Sequence, residues 1–521
     1  MRVAVLSVLA LIAALQVQAA EPQIVRPFER DADLRYFNRV DELVLGSLRE
    51  HGIRPANVCS DEVFLRRVYL DVIGTLPEPR AVRRFVQDRS PNKRARVIDA
   101  LLEREEFADY WSLKWCDLLR VKSEFPINLW PNAVQGYHRW IRDAIRENRP
   151  YDEFVRDLLT SSGSNFRVPP VNFYRAIQGS EPATIADAVA LTFMGVRTAS
   201  WPEERRAGMA AFFSRIAYKG TAEWKEEIVS LDPAPAGPLD AVFPDGVAVR
   251  IEPGRDPRQV FADWLMAPGN PWFRRNVVNR VWSWLLGRGI IHEPDDIRPD
   301  NPPSNRELLA YLEKELVDSG YDLRHVYRLI LNSRTYQQSS IARSDHPEAE
   351  ALFAYYPVRR LDAEVLIDAL CWLGGTGESY SSLIPEPFTF IPKDQRSIAL
   401  ADGSITSSFL DTFGRPSRDT GLESERSNKP TGEQRLHLLN STHVQQKIAR
   451  SPRLRAIIRL AGGKPDGVIR GLYMTILSRQ PTADELAAAQ EYWTTAGLNR
   501  QQAAEDLAWA LVNTKEFLYR H

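Results

Sequence analysis

The sequence predicts a mainly α fold, built from helical hairpin units in two domains with a small β-hairpin between them. Three observations predict it. Amphipathic helical spacing recurs along most of the 521 residues, and 44% of residues are hydrophobic, enough for a substantial core. One pattern repeats: VYLDVIGTLPEPRAVRRFVQDRSPNKRARVIDALLEREEF at 68–107 and LYMTILSRQPTADELAAAQEYWTTAGLNRQQAAEDLAWALVNTKEF at 472–517 each place Tyr eight residues before Pro, at Tyr69 and Pro77 and at Tyr473 and Pro481. Residues 231–255, LDPAPAGPLDAVFPDGVAVRIEPGR, break the helical period with Pro and Gly and then alternate through GVAVRIEP, which reads as a linker holding a short hairpin.

The chain starts MRVAVLSVLALIAALQVQAAEPQ, where one Arg precedes an apolar run closed by Val-Gln-Ala, the pattern of a secretory signal peptide over residues 1–19. No later stretch approaches the roughly 20 apolar residues of a membrane span. The expectation is a periplasmic or secreted protein with no span after signal cleavage. A first helical domain is expected over 20–230 and a second over 256–521. The middle of the second echoes the repeat, with VWSWLLGRG at 281–289 as first helix and PPSNRELLAYLEKELVDSGYDLRHVYRLILNSRTY at 302–336 as the rest. Pro beside Ser, Thr or an acidic residue starts these helices, because Pro suits the first turn and a short polar side chain caps free amides. Apolar spacing of three and four, as in Val97, Leu101 and Leu102 or Leu308, Leu309 and Leu312, gives each helix one sticky face. Two helices cannot bury such faces alone, so the units should pack on one another. The middle unit inserts IIHEPDDIRPDN at 290–301, and residues 374–408, rich in Gly, Ser and Pro, read as a long surface loop.

Lys and Arg number 67 against 68 Asp and Glu, a net charge of −1, which gives no electrostatic case for nucleic acid or acidic membranes. Cys59, Cys116 and Cys371 are too few for a disulfide framework and too scattered for a metal cluster. They leave open one disulfide with a free thiol, or three small buried side chains.

Three stretches carry candidate chemistry. The 290–301 insert offers oxygen-rich ligands, with His292, Asp295 and Asp296 as the weak metal candidates. Oxygen clusters suit hard divalent cations, but the order matches no EF-hand loop and lacks its central Gly. The same residues read equally as an acidic loop pairing with Arg288 and Arg298. The 413–440 segment holds Arg415, Arg418, Glu425, Arg426, Gln434, His437 and Asn440 among Gly and Pro turns. Guanidinium forks there suit a carboxylate, sulfate or phosphate, or an internal Arg and Glu network. The Arg415 to His437 group is expected to converge near the NRVW helix. In NPWFRRNVVNRVWSW, Trp272, Asn276, Asn279, Arg280 and Trp282 fall at helical neighbours, either a carbohydrate platform or core with polar caps. His138 in LWPNAVQGYHRW reads as a hydrogen-bonded structural residue. No Gly-x-Ser-x-Gly elbow, Walker loop, His-Glu-x-x-His or Rossmann glycine run is found, so catalytic residues stay unassigned.

FLRRVYLDVIGTLP, LLRVKSEFPINLWPNAV, NRVWSWLLGRGI, NPPSNRELL, LILNSRTYQQSS, FGRPSRDT, ERSNKPTGEQRLHLLN and LVNTKEFL together resemble the planctomycete cytochrome-associated proteins, in the same order over nearly all the mature chain. The resemblance implies a cytochrome-type domain followed by a second domain of unknown function, both exported. Many such proteins carry Cys-x-x-Cys-His-x-His-Pro between a Val-Arg helix end and Ala-Ala-Phe-Phe. Here GVR ends at Arg197, MAAFF starts at Met209, and TASWPEERRAG lies between. Covalent c-type haem needs two thiols three apart and an adjacent His. This loop offers none of them, so no haem is expected, and Pro202 and Glu203 are expected to start the next helix. The functional expectation is a non-redox binding or assembly component contacting an exported protein or a saccharide through the insert and the 413–440 loop. The alternative is an extracytoplasmic enzyme, a polysaccharide hydrolase or an oxidoreductase working with a separate redox partner. A divalent cation is left without support.

Overall fold

The three related stretches each fold as three helices, with the expected hairpin preceded by a helix that bears the marker aromatic. In chain order the first part holds α1 (Arg39–Glu50), α2 (Asp61–Ile73), α3 (Pro79–Gln87), α4 (Lys93–Leu102), α5 (Glu105–Leu118), α6 (Pro131–Arg146), α7 (Tyr151–Thr160), α8 (Pro182–Val189) and α9 (Glu203–Ala210). After the strands described below come α10 (Pro257–Met266), α11 (Phe273–Leu286), α12 (Arg306–Asp318), α13 (Leu323–Asn332) and α14 (Ala363–Gly374). The last part holds α15 (Gly432–Asn440), α16 (Thr442–Ala449), α17 (Pro452–Leu460), α18 (Pro465–Ile476), α19 (Ala483–Thr495) and α20 (Arg500–Val512). With 52% of residues helical, the fold is mainly α. This computed structural model describes residues 24–30, 38–233 and 237–521, so the expected signal peptide at 1–19 lies outside the described residues.

The units α2–α4, α11–α13 and α18–α20 share a stop signal. Five residues after Tyr69, Trp282 and Tyr473 stand Gly74, Gly287 and Ser478, with φ of 58°, 75° and 60°. A left-handed residue ends a helix cleanly, and glycine takes it at two of the three positions without a Cβ clash. The polar side chains at the starts act as caps: Ser60 accepts from Val63 N, Asn305 from Leu308 N, and Thr482 and Asn499 each complete a reciprocal capping box.

The units bury their apolar faces against one another. Helix α4 packs on α13, and Arg66 of α2 reaches across to the Ile476 carbonyl oxygen at 2.8 Å. An aromatic cluster joins the parts: Trp111 of α5 lies 5.4 Å from Trp284 of α11 and 4.5 Å from Tyr327 of α13, ring centre to ring centre. Burying side chains of this size stabilises by about 1.5–3 kcal/mol each. One contiguous core therefore runs from Val40 to Phe517.

Strands are few and antiparallel. Leu239–Val242 and Ala248–Ile251 form a two-stranded hairpin within the 231–255 stretch, and Phe243 on it stacks on Phe212 and Trp264 at 4.7 and 5.1 Å. A second, three-stranded sheet pairs Glu227–Leu231 with both Gly163–Ser164 and Ile216–Gly220. The sequence reading places no strands there, since each run is only a few residues long. Arg359–Arg360 pairs with Tyr519–Arg520, tying the last residues back to the start of α14. Among the described residues no helix is long and apolar enough to cross a membrane.

Candidate functional site

Helix α11 is the spine on which the insert and the loops around it are mounted. Asn279 uses both ends of its amide on one residue: Nδ2 donates to the Ile291 carbonyl oxygen and Oδ1 accepts from the Ile291 N–H, each at 2.9 Å. The next residue, Arg280, pairs with Asp295 at 2.6 Å, donates to Asn276 Oδ1 one turn back at 2.9 Å and to the Leu191 carbonyl oxygen at 3.0 Å. Asn276 in turn donates to the Thr192 carbonyl oxygen. These groups and Trp282 are buried, so they are core with polar caps, which corrects the platform reading for all of that face except half-buried Trp272.

The insert is thereby pinned between two other loops. On one side, Ile297 N–H donates to the Gly195 carbonyl oxygen at 2.9 Å and Arg197 pairs with Glu293 at 3.0 Å. The 195–209 turn is itself organised, with Thr198 and Arg206 both bonded to Asp187, and α9 starts at Glu203 behind Pro202 as expected. On the other side, the Asp295 carboxylate accepts from Glu423 N–H at 2.7 Å, and Glu423 accepts from Trp284 Nε1 at 3.0 Å.

The expected convergence of the 413–440 residues near α11 does not occur as a group. Arg418 and Arg426 both reach Asp117 of α5, at 2.9 and 2.7 Å, and Arg426 also pairs with Glu364 at 2.7 Å. This is the internal network. Glu425 accepts from the amides of Asp419 and Thr420 and shapes its own loop. Arg415 pairs with Asp411, while Gln434 completes the cap of α15 and donates to the Thr412 carbonyl oxygen. His437 sits edge-on to Phe409 and Phe413, and Asn440 is exposed. Arg418 and Arg426 thus meet on Asp117, while Arg415, Gln434, His437 and Asn440 take separate partners or surfaces.

The metal reading is corrected too. Asp295 is committed to Arg280, and Asp296 pairs with Arg298 at 3.1 Å. Among the described residues no group of three or more His, Cys, Asp or Glu is placed to hold a metal. The three thiols are unpaired, with Cys59 and Cys116 buried. His138 lies 3.5 Å from Ser112 Oγ, and burial followed by the field of Arg418 pushes its imidazole down to about 3, so it is a neutral structural residue.

Two concave sites flank the insert. The first, about 250 Å³, is lined by Lys114, Asp295, Asp362, Glu423, Arg426 and Trp284 among others. Lys114 pairs with Asp362 at 3.1 Å, and Arg520 joins them at 3.1 Å. Burial would raise the Asp362 carboxyl, but Lys114, Arg520 and Arg426 beside it hold it well below the usual range. Burial raises Glu423, only partly offset by Lys114 and Arg280. Sequence reasoning missed Lys114 and Asp117, although two charges three apart inside the apolar run LKWCDLL are an available signal of a buried network.

The second site, a groove of about 490 Å³, lies between the 195–209 turn and the insert, with Trp201, Trp272, Arg205, Arg298 and Arg306 on its walls and Ile297 in its lining. The Arg205 guanidinium stacks 3.8 Å above the Trp201 ring and lies 6.0 Å from the Trp272 ring centre.

The fold and its buried ionic spine thus define a helical protein of two consecutive segments joined through α11 and the insert. Residues 39–200 match the family model PSCyt2, a protein of unknown function (DUF1549), and residues 257–493 match PSD1, a protein of unknown function (DUF1553). The chain thus carries matches to two consecutive domains of unknown function. No curated protein and no solved structure matches it.

Proposed function

We propose that the protein is a non-redox binding component acting outside the cytoplasm, and that its ligand or partner seats in the groove between the 195–209 turn and the insert. The observation that carries this is the different fate of the charged side chains. Arg418, Arg426, Arg280 and Asp295 are consumed by internal pairs, whereas Arg205 and Arg306 line the groove beside Trp201 and Trp272 and form no ion pair among the described residues. The turn that in many of the resembled proteins carries haem holds Thr198, Ala199, Ser200 and Trp201 here, and two thiols and a His are what covalent attachment requires. The chemistry of these residues does not fit that group.

Cross-linking of the exported protein in its native compartment, read by mass spectrometry, tests the reading. Cross-links to a partner or ligand are expected within 196–205, 271–275 and 298–306. Cross-links confined to other surfaces would sink it.

One observation favours a second reading, an extracytoplasmic hydrolase. Burial raises the Glu423 carboxyl within a cavity beside the ionised Asp362, and a carboxyl raised in this way can serve as a general acid. Turnover of a polysaccharide that disappears in Glu423→Gln, with the fold retained, would support that reading over the first.

A further inference from the structure

We infer that the occupant of the groove is an anionic saccharide, carrying carboxylate or sulfate groups; this rests on the groove being the binding surface. The argument is from charge and shape. Four arginines line the groove, at 205, 275, 298 and 306, against one carboxylate, Glu313. Arg275 is neutralised by Glu313 at 2.9 Å and Arg298 by Asp296 at 3.1 Å. Among the described residues Arg205 and Arg306 form no ion pair with a carboxylate; the Asp245 carboxylate acts on Arg205 from a distance, so Arg306 is the clearest unpaired positive charge on the groove. Guanidinium forks match carboxylate and sulfate oxygens in pairs.

The remaining wall chemistry selects a sugar over an acidic peptide. Trp272 is half-buried, and Pro271, Pro299, Pro302 and Pro303 present further flat apolar surface. Flat rings suit the apolar face of a pyranose. An extended peptide would require partners for its backbone amides. Asn301, the one side-chain amide among the described lining residues, already donates to the His292 and Asp296 carbonyl oxygens at 3.0 and 2.8 Å. The groove volume of about 490 Å³ lies inside the roughly 300–1,000 Å³ range of small-molecule sites.

The groove is also held open by fixed parts. Asn279 and Arg280 lock the insert from below, and Arg205 is braced on Trp201. A site with its guanidinium and rings already in place loses little freedom on binding.

The test is a fluorescence titration of the full mature chain with oligogalacturonate, with sulfated dextran oligosaccharide, with uncharged dextran of equal length and with polyglutamate. Saturable binding of one or both charged sugars is expected, weakening as salt rises and at least tenfold weaker in Arg306→Glu, an exposed residue whose change leaves the melting temperature in place. Trp272→Ala gives a second check, and the preferred charged sugar separates carboxylate from sulfate recognition. Equal binding of uncharged dextran, tighter binding of polyglutamate, or binding indifferent to Arg306→Glu would overturn the inference. If no charged sugar binds while native cross-links still fall in the groove, the ligand class is wrong and the binding surface stands.

Discussion

Arg280 and Asp295 form an ion pair of 2.6 Å in which the side chains are 1% and 2% exposed. The pair joins helix α11 to the insert, and through the Glu423 amide it reaches the loop beyond. Removing one member leaves a buried charge without its counter-ion, which costs about 3–5 kcal/mol. Arg280→Met is therefore expected to lower unfolding free energy by that amount in chemical denaturation. Arg280→Met with Asp295→Leu should recover much of it, because replacing both members of a buried pair with apolar groups is often close to neutral.

Gly195 tests whether the turn and the insert are truly in contact. Its φ is +66°, and a Cβ there would lie 2.7 Å from Asn276 Oδ1 and 2.9 Å from the Pro294 carbonyl oxygen. Gly195→Ala is expected to cost about 1–3 kcal/mol and to speed amide exchange over 290–301. Unchanged exchange would show that the two loops move independently.

His138 predicts an acid-sensitive fold. Its folded-state pKa is pushed down to about 3, against about 6.5 in the unfolded chain. The unfolded state therefore binds a proton that the folded state refuses, so stability is fully present above about pH 6.5 and falls as pH drops toward 3. His138→Asn should flatten that part of the stability profile measured by urea unfolding at stepped pH. An unaltered profile would place the acid sensitivity elsewhere.

Arg418 and Lys314 give a contrast between buried and exposed charge. Arg418 is 3% exposed and holds Asp117 together with the Val121 and Ala401 carbonyl oxygens. Lys314 pairs with Asp318 on the open face of α12. Arg418→Ala is expected to cost about 3 kcal/mol or more, whereas Lys314→Ala should leave the melting temperature almost unchanged, by thermal denaturation of the same preparation.

The helical architecture was legible because local spacing and punctuation specify it. Tyr69 with Gly74, Trp282 with Gly287 and Tyr473 with Ser478 show one stop signal used three times, and Pro202 ahead of Glu203 marks the start of α9. Asn279 and Arg280 were visible as polar groups on an apolar helix, yet their role as anchors for Ile291 and Asp295 depends on a chain reversal that spacing does not encode. The 413–440 residues were legible as a charged group, but their partners, Glu364 and Asp117, lie 62 and 301 to 309 residues away in sequence and come together only through packing. The short strands at 163–164 and 216–220 were too brief for alternation to reveal.

The claim on which the rest depends is that this chain works without the haem that many of the resembled proteins carry. The most direct measurement is a visible absorption spectrum of the purified protein after denaturation and acid-acetone extraction. The account predicts a colourless protein with no Soret band. A band that stays with the polypeptide through extraction would contradict it.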